Sequence, residues 1–532
     1  MTNNSQVYLK QNVQLEPLVN QWYAWSHLVA PASAAMNIAN LHLRIMKSYI
    51  ASPQIHANAV KNPDMLGGPF IDYEGKRVDE IKSLLAKTTK EQDHMIKFAE
   101  SVKKLDEMLA KEAKGYSLEP MYERIPPNLK GYVELVYNIN NQAGIRFIEG
   151  LLYESEYYNP ATQSINLSLI DQDYRAFALS TPRLPDDKSV SLHVPFANEL
   201  IDELFKMRNE PQSLGYLKER FDSLEIRDPR FQELFTDTEA PPPLQRYSGE
   251  GVRVRYFGHA CILMETKDVS ILTDPAISYR YDNGIERYTF QDLPEKIDYV
   301  LITHGHQDHI IFEALLQLRH RIGTLVVPRG RGGTLEDPSL KMLLNKIGFK
   351  NVIELDEMES IDIPGGRITD LPFLGEHADL NISAKIAHLV RLKDKTFLFA
   401  ADSNNIEPKL YEHIFRVLGD VDVLFIGMEC DGAPLSWLYG PLLTRPLDRG
   451  MDQSRRFGGS NYERGIGIVN QFNCSEVYVY AMGQEPWLNY IMSIKYTEQS
   501  NPIIASNRLV KDCLSRGIVA ERLFGTKELV YC

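Results

Sequence analysis

The run Val300-Leu-Ile-Thr-His304-Gly-His306-Gln-Asp308-His309 constrains this chain more than any other stretch of its 532 residues. An apolar segment leads into it and a helical pattern, Ile310–His320, leads out, so the polar residues fall on a strand-to-helix loop. Four potential metal ligands lie within six residues. In an extended chain alternate side chains point the same way, so His304 and His306 can close on one metal. Asp308 and His309 follow at the loop-to-helix turn, where they can reach a second metal close by.

The surroundings have α/β character. Short β-rich runs recur at Val252–Phe257, Ile262–Glu265, Val269–Thr273, Tyr299–Thr303, Thr324–Pro328, Asn351–Leu355, Phe397–Ala401, Val421–Met428 and Val477–Met482, and helical patterns follow several of them. The first half reads differently. Apolar residues three or four apart from Arg77 to Ala113 predict one or two amphipathic helices, and Gly131–Tyr157 predicts strands. Between the halves, Thr236–Gly251 contains Pro241, Pro242 and Pro243, which cannot continue a helix or a central strand. This places a boundary near Leu244, with units 1–244 and 245–532. The histidines of the first half, His27, His42, His56, His94 and His193, are scattered and form no motif.

Net charge is -13. That balance argues against nucleic acid as a partner. The Gly-rich run Arg329–Gly333 follows a predicted strand and reads as a turn. The first residues are polar, without the apolar core of a secretory signal, and no stretch approaches the roughly 18 apolar residues of a membrane helix. Five cysteines without a CxxC pair fit reduced thiols in the cytoplasm.

His304-Gly-His306-Gln-Asp308-His309 resembles the signature of the metallo-β-lactamase superfamily. The run Val254–Glu265 followed by Ile271-Leu-Thr-Asp274-Pro275 is similar to the opening strands of that fold. The resemblance implies a C-terminal αββα sandwich, an α/β fold, behind a mainly helical α+β N-terminal domain. It implies that Asp274 holds a metal-binding histidine from behind, and it brings His259 near the site. Asp402, at the end of the run Thr396–Ala401, matches the aspartate that bridges the metals in the superfamily. The third donor of the first metal falls at Glu376 or His377. The final histidine of the superfamily hydrolases has no counterpart: the last histidine, His413, lies in the predicted helix Glu407–Leu418. The strand ends where it would stand offer Met428–Gly432, with Glu429 and Asp431, and Ala481–Glu485. A mixed imidazole and carboxylate set with an under-filled second metal suits iron and leaves room for dioxygen.

A narrower resemblance rests on Ala401–Asn405, Met428–Leu438 and Tyr478–Trp487. These runs are similar to the carrier-tethered aminoacyl β-hydroxylases of nonribosomal peptide pathways, a group with a member in chloramphenicol biosynthesis. It implies two irons, one on His304, His306 and Glu376 and the other on Asp308 and His309, bridged by Asp402, with His377 beside them. It also implies dioxygen as co-substrate, an external electron donor, and an amino acid held as a thioester on the phosphopantetheine arm of a carrier domain. The N-terminal domain would serve dimerisation and carrier docking. Lys385, Arg391, Arg445, Arg449, Arg455 and Arg456 are candidate contacts for an acidic carrier. The alternative is a zinc or manganese hydrolase of a lactone, thioester or phosphodiester on the same scaffold.

Overall fold

The computed structural model describes residues 5–222, 229–239, 242 and 244–532, and the side chains of Leu214, Lys218, Phe221, Asp222 and Glu376 fall outside that description. Of the proline-rich segment, Pro241 and Pro243 lie outside the described residues.

Two seven-stranded sheets make the second half. The first runs Val352–Leu355, Ile322–Pro328, Ile297–Leu301, Ser270–Thr273, Cys261–Glu265, Val252–Gly258 and Lys527–Tyr531. The second runs Ser360–Ile363, Gly366–Leu371, Ala387–Leu392, Lys395–Phe399, Val423–Gly427, Glu476–Tyr480 and Val519–Arg522. They lie face to face because alternate residues of each strand are apolar on both sides. In Val423–Gly427, Val423 and Phe425 join an inner cluster with Val254, Ile271, Leu301, Val390 and Phe397, whereas Leu424 and Ile426 face outward. The outer face of one sheet is covered by the helices Phe312–Leu318 and Leu340–Lys346, that of the other by Lys409–Leu418, Tyr462–Phe472 and Asn501–Ser515. The result is the expected αββα sandwich.

All nine expected strand runs form, each within a few residues of its expected ends. Four strands of the second sheet, Ser360–Ile363, Gly366–Leu371, Ala387–Leu392 and Val519–Arg522, and Lys527–Tyr531 of the first carry no counterpart among them.

In the first half the amphipathic stretch splits into helices Val78–Glu91 and Asp93–Glu112, and Gly131–Tyr157 holds the hairpin Val133–Tyr137 and Ala143–Phe147. The first half also holds a four-stranded sheet, Trp22–Tyr23, Val13–Val19, Gln163–Leu169 and Ser189–Leu192, and a three-stranded one, Gln212–Ser213, Gln6–Leu9 and Phe235–Thr236. The halves are not separated by water. Val13, Leu15, Ile165 and Leu167 share one buried cluster with Phe312, Leu315 and Leu316, and Met36 and Phe98 share another with Leu435 and Leu442. A buried ion network also crosses between them. Arg175 binds both Glu16 of the first half and Glu313, on the helix that follows the histidine-rich loop.

Candidate metal centre

Five of the expected residues meet where the strands of both sheets end. His304 and His306 leave Ile297–Leu301 on the loop, and Asp308 and His309 follow before Phe312–Leu318. Asp402 arrives from the other sheet, three residues past Lys395–Phe399. His304 and His309 are fully buried, and His306 and Asp308 nearly so.

The strand ends beneath them are bent in an unusual way. His259, Asp274, Ala401 and Ala481 each follow a strand and each have positive φ: 50°, 31°, 46° and 50°. Residues other than glycine rarely adopt that conformation, and they concentrate where a site needs the chain to turn sharply. Ala401 is fixed by a hydrogen bond from its N–H to the Tyr480 hydroxyl (3.0 Å) and by its carbonyl accepting from Gly427 (2.9 Å), which aims Asp402 at the loop. A Cβ at Gly427 would stand 2.6 Å from the Ala401 oxygen, so only glycine fits there.

Asp274 lies behind the loop, against Thr303 and His309. One oxygen accepts from the Thr303 N–H (2.8 Å); the other accepts from the Thr303 hydroxyl (2.7 Å) and lies 2.8 Å from His309 Nδ1. With Nδ1 facing that carboxylate, His309 turns Nε2 into the site. That Nε2 has no hydrogen-bond partner among the described residues, yet it lies 3.5 Å from both Asp308 Oδ2 and Asp402 Oδ1. His304 Nε2 stands 3.1 Å from His306 Nδ1 and 3.3 Å from Asp402 Oδ2. Two donors side by side on one ion, each at roughly 2.1 Å, are about 3.0–3.4 Å apart. The observed spacings match, so the donor set fits metal. Asp402 directs one oxygen to His304 and the other to His309, the posture of a carboxylate shared between two ions.

The electrostatics call for cations. Burial opposes it, but the Asp402, Asp308 and Asp274 carboxylates hold the His309 imidazole well above its usual range. Burial likewise works to raise Asp308 and Asp402, yet the neighbouring imidazoles hold both well below the ordinary carboxylate range. His306 moves the other way, down to about 3, through burial and the adjacent His304, and so stays neutral, the form that binds metal.

His377 reaches the same place. Its ring stacks on His306 (4.4 Å between centroids) and meets His304 edge-on (4.6 Å), and one of its nitrogens comes within 4.8 Å of a ring nitrogen on each. Glu376, expected as the third donor, is the first residue of the turn Glu376–Leu380, and its side chain lies outside the described residues. His259 is buried with Nε2 3.0 Å from Asp308 Oδ2, closer than its place in the sequence conveys. His413 is exposed on its helix, away from the cluster.

A cavity of about 790 Å³ opens over His306, Asp308 and Asp402, with Glu429 and Asp431 on its wall. The first half also lines it, through Trp22, Trp25 and His42. His42, which no motif marks, ends the π-helical turn Ile38–His42 and stacks on Trp22 at 3.9 Å. Of the expected carrier contacts, Arg456 lines the cavity, whereas Arg391 donates to the Leu418 carbonyl and Arg445 lies 3.6 Å from Asp106.

Comparison with known proteins agrees with this geometry. Residues 8–240 match the diiron non-heme beta-hydroxylase N-terminal domain, and residues 270–433 match the beta-lactamase superfamily domain. The chain is 41% identical over 523 residues to the 4-amino-L-phenylalanyl-[CmlP-peptidyl-carrier-protein] 3-hydroxylase of Streptomyces venezuelae, covering 97% of this chain and 98% of that protein. The crystal structure of CmlA, a diiron beta-hydroxylase from Streptomyces venezuelae, superposes with a TM-score of 0.93 at 38% identity, covering 99% of this chain and all of that one. A metal-dependent hydrolase of Bacillus subtilis, YtkL, matches over 59 residues at 39% identity, 11% of this chain and 24% of that protein. Likeness along the whole chain is thus to the hydroxylase, and the chain belongs to the diiron non-heme β-hydroxylase family.

Proposed function

We propose that this chain hydroxylates the β-carbon of an amino acid carried as a thioester on the phosphopantetheine arm of a peptide-synthetase carrier domain, in the cytoplasm, with dioxygen and electrons from an external donor. The observation that carries the proposal is the carboxylate of Asp402 set between His304 and His309 at the floor of a cavity walled by both halves of the chain. One iron is assigned to His304, His306 and Glu376, the other to Asp308 and His309, with Asp402 shared. Two irons held there would pass two electrons from the donor to dioxygen, the other two coming from the β-carbon–hydrogen bond, so that one oxygen atom enters the substrate and the other leaves as water.

The chain's own residues do the rest. Asp274 and Thr303 fix the tautomer and angle of His309. The cavity is at the large end of ligand sites, suited to a long arm with an aminoacyl group at its tip. Trp22, Trp25 and His42 add apolar and aromatic surface to its wall, against which the aminoacyl group can be placed. We assign residues 1–244 to dimerisation and carrier docking and 245–532 to catalysis, with Arg456 at the cavity wall as the most direct contact for an acidic carrier.

A zinc or manganese hydrolase would use the same loop. Whole-chain likeness to a hydroxylase and the exposed position of His413 favour the oxygenase. His377, stacked on His306, is assigned to packing, and Glu376 to the iron. Iron content of purified Glu376→Ala and His377→Ala proteins tests the assignment. Glu376→Ala should lose iron while His377→Ala retains about two per chain; the reverse order would assign the third donor to His377.

A further inference from the structure

His259 sits in the tight turn that joins Val252–Gly258 to Cys261–Glu265, far from the histidine-rich loop in sequence. Its φ of 50° is one that glycine or asparagine would adopt more cheaply, so a histidine there is held by its surroundings. Those surroundings are specific. Its carbonyl accepts from the Ala481 N–H at 2.9 Å. Its backbone N–H lies against the carboxyl of Glu485, which is 1% exposed and accepts a short hydrogen bond from the buried Tyr256 hydroxyl. The preceding residue, Gly258, has φ 114°, and a Cβ there would stand 3.1 Å from Trp487 and 3.4 Å from Glu485. The turn is therefore clamped from both sides, and the ring points at Asp308, with Nε2 3.0 Å from Oδ2.

We infer that His259 is a positioning residue for the second metal: its Nε2–H donates to Asp308 and sets which way that carboxylate faces, while Glu485 and Tyr256 hold the turn that carries it. The inference rests on the proposed di-metal site. Asp308 follows the loop on a single turn of chain, and its carboxylate has few other restraints; the one described hydrogen bond that orients it is from His259. An unrestrained carboxylate swings between one-oxygen and two-oxygen contact with an ion, which loosens the second metal and leaves the first alone. The sequence offers no late histidine for the second metal, so orientation of Asp308 matters more here than in a site completed by another imidazole.

Cobalt(II) titration of the full-length apoprotein separates the two sites by their ligand-field spectra, and needs neither substrate nor turnover. His259→Ala should weaken binding of the second cobalt by about 10- to 100-fold, the usual effect of removing an outer hydrogen bond, with the first cobalt unchanged. His259→Gln, which keeps an N–H donor, should restore the second site to within about threefold and leave its spectrum as in the parent. Glu485→Ala should shift the second cobalt in the same direction as His259→Ala, with circular dichroism reporting that each variant is folded. The inference is overturned if His259→Ala binds both cobalts as the parent does. It is also overturned if His259→Gln loses the second cobalt as fully as His259→Ala with a changed spectrum, which would make His259 itself a ligand. A parent protein that takes up a single cobalt would instead overturn the di-metal reading, and this inference with it.

Discussion

Replacing Arg175 by methionine should loosen the helix behind the metal-binding loop by about 3 kcal/mol, and the size follows from what the guanidinium holds. Its Nη2 lies 2.8 Å from Glu16 and 2.8 Å from Glu313, and its carbon sits 3.5 Å over the Tyr490 ring. The side chains are at most 10% exposed, so water does not screen them. Glu16 keeps Arg183, at 2.8 Å, when Arg175 is removed. Among the described residues Glu313 keeps hydroxyl donors alone, Tyr23 at 2.9 Å and Tyr279 at 2.8 Å. Stranding one member of a buried pair costs roughly 3–5 kcal/mol. Amide hydrogen exchange of Phe312–Leu318, variant against parent, reads this locally. About 3 kcal/mol corresponds to roughly a hundredfold faster exchange at pH 7. Adding Glu313→Gln to Arg175→Met should recover most of the protection. A deficit below about tenfold at pH 7, or one that Glu313→Gln does not relieve, would refute the reasoning.

Further outcomes follow from the same geometry. Arg183 and Arg175 outweigh burial and hold Glu16 down to about 2, so its contribution, about 3 kcal/mol, is complete above pH 4.5 and lost as pH falls from there toward 2. The stability gap between the parent and Glu16→Gln should therefore close over that window in urea unfolding. Asp274→Asn removes the acceptor that sets the His309 tautomer and should weaken metal binding about 10- to 100-fold in equilibrium dialysis. Gly427→Ala forces its methyl against the Ala401 carbonyl 2.6 Å away and should displace Asp402, lowering iron content with little change in far-ultraviolet circular dichroism. His413→Ala, on an exposed helix face, should leave iron content unchanged.

The site was legible in sequence where several donors crowd one short loop, as from His304 to His309, and where a carboxylate ends an apolar strand, as at Asp402. Legibility failed where contacts span the chain. His259 was brought near the site by resemblance alone; it reaches Asp308 across 49 residues, and nothing local marks that partner. Trp22 and His42 reach the cavity from the other half, and their pattern is that of any buried aromatic and helix-end histidine. Glu376 and His377 were ordered by resemblance alone, because both stand on one short turn, where neighbours diverge in direction. In the fold, the parallel strands announced themselves as continuous apolar runs. Ser360–Ile363 and Gly366–Leu371 pair across a tight glycine turn and alternate apolar with charged residues, a pattern diluted by Asp362, Arg367 and Asp370.

Oxygen-18 gas supplied to the iron-loaded protein with a chemical reductant and an aminoacyl carrier domain tests the central claim most directly. Mass analysis of the aminoacyl group cleaved from the carrier should find one labelled oxygen atom at the β-carbon, in a reaction that stops when gas or reductant is withheld. Release of unmodified amino acid from the carrier, independent of oxygen, would contradict the account and identify a hydrolase.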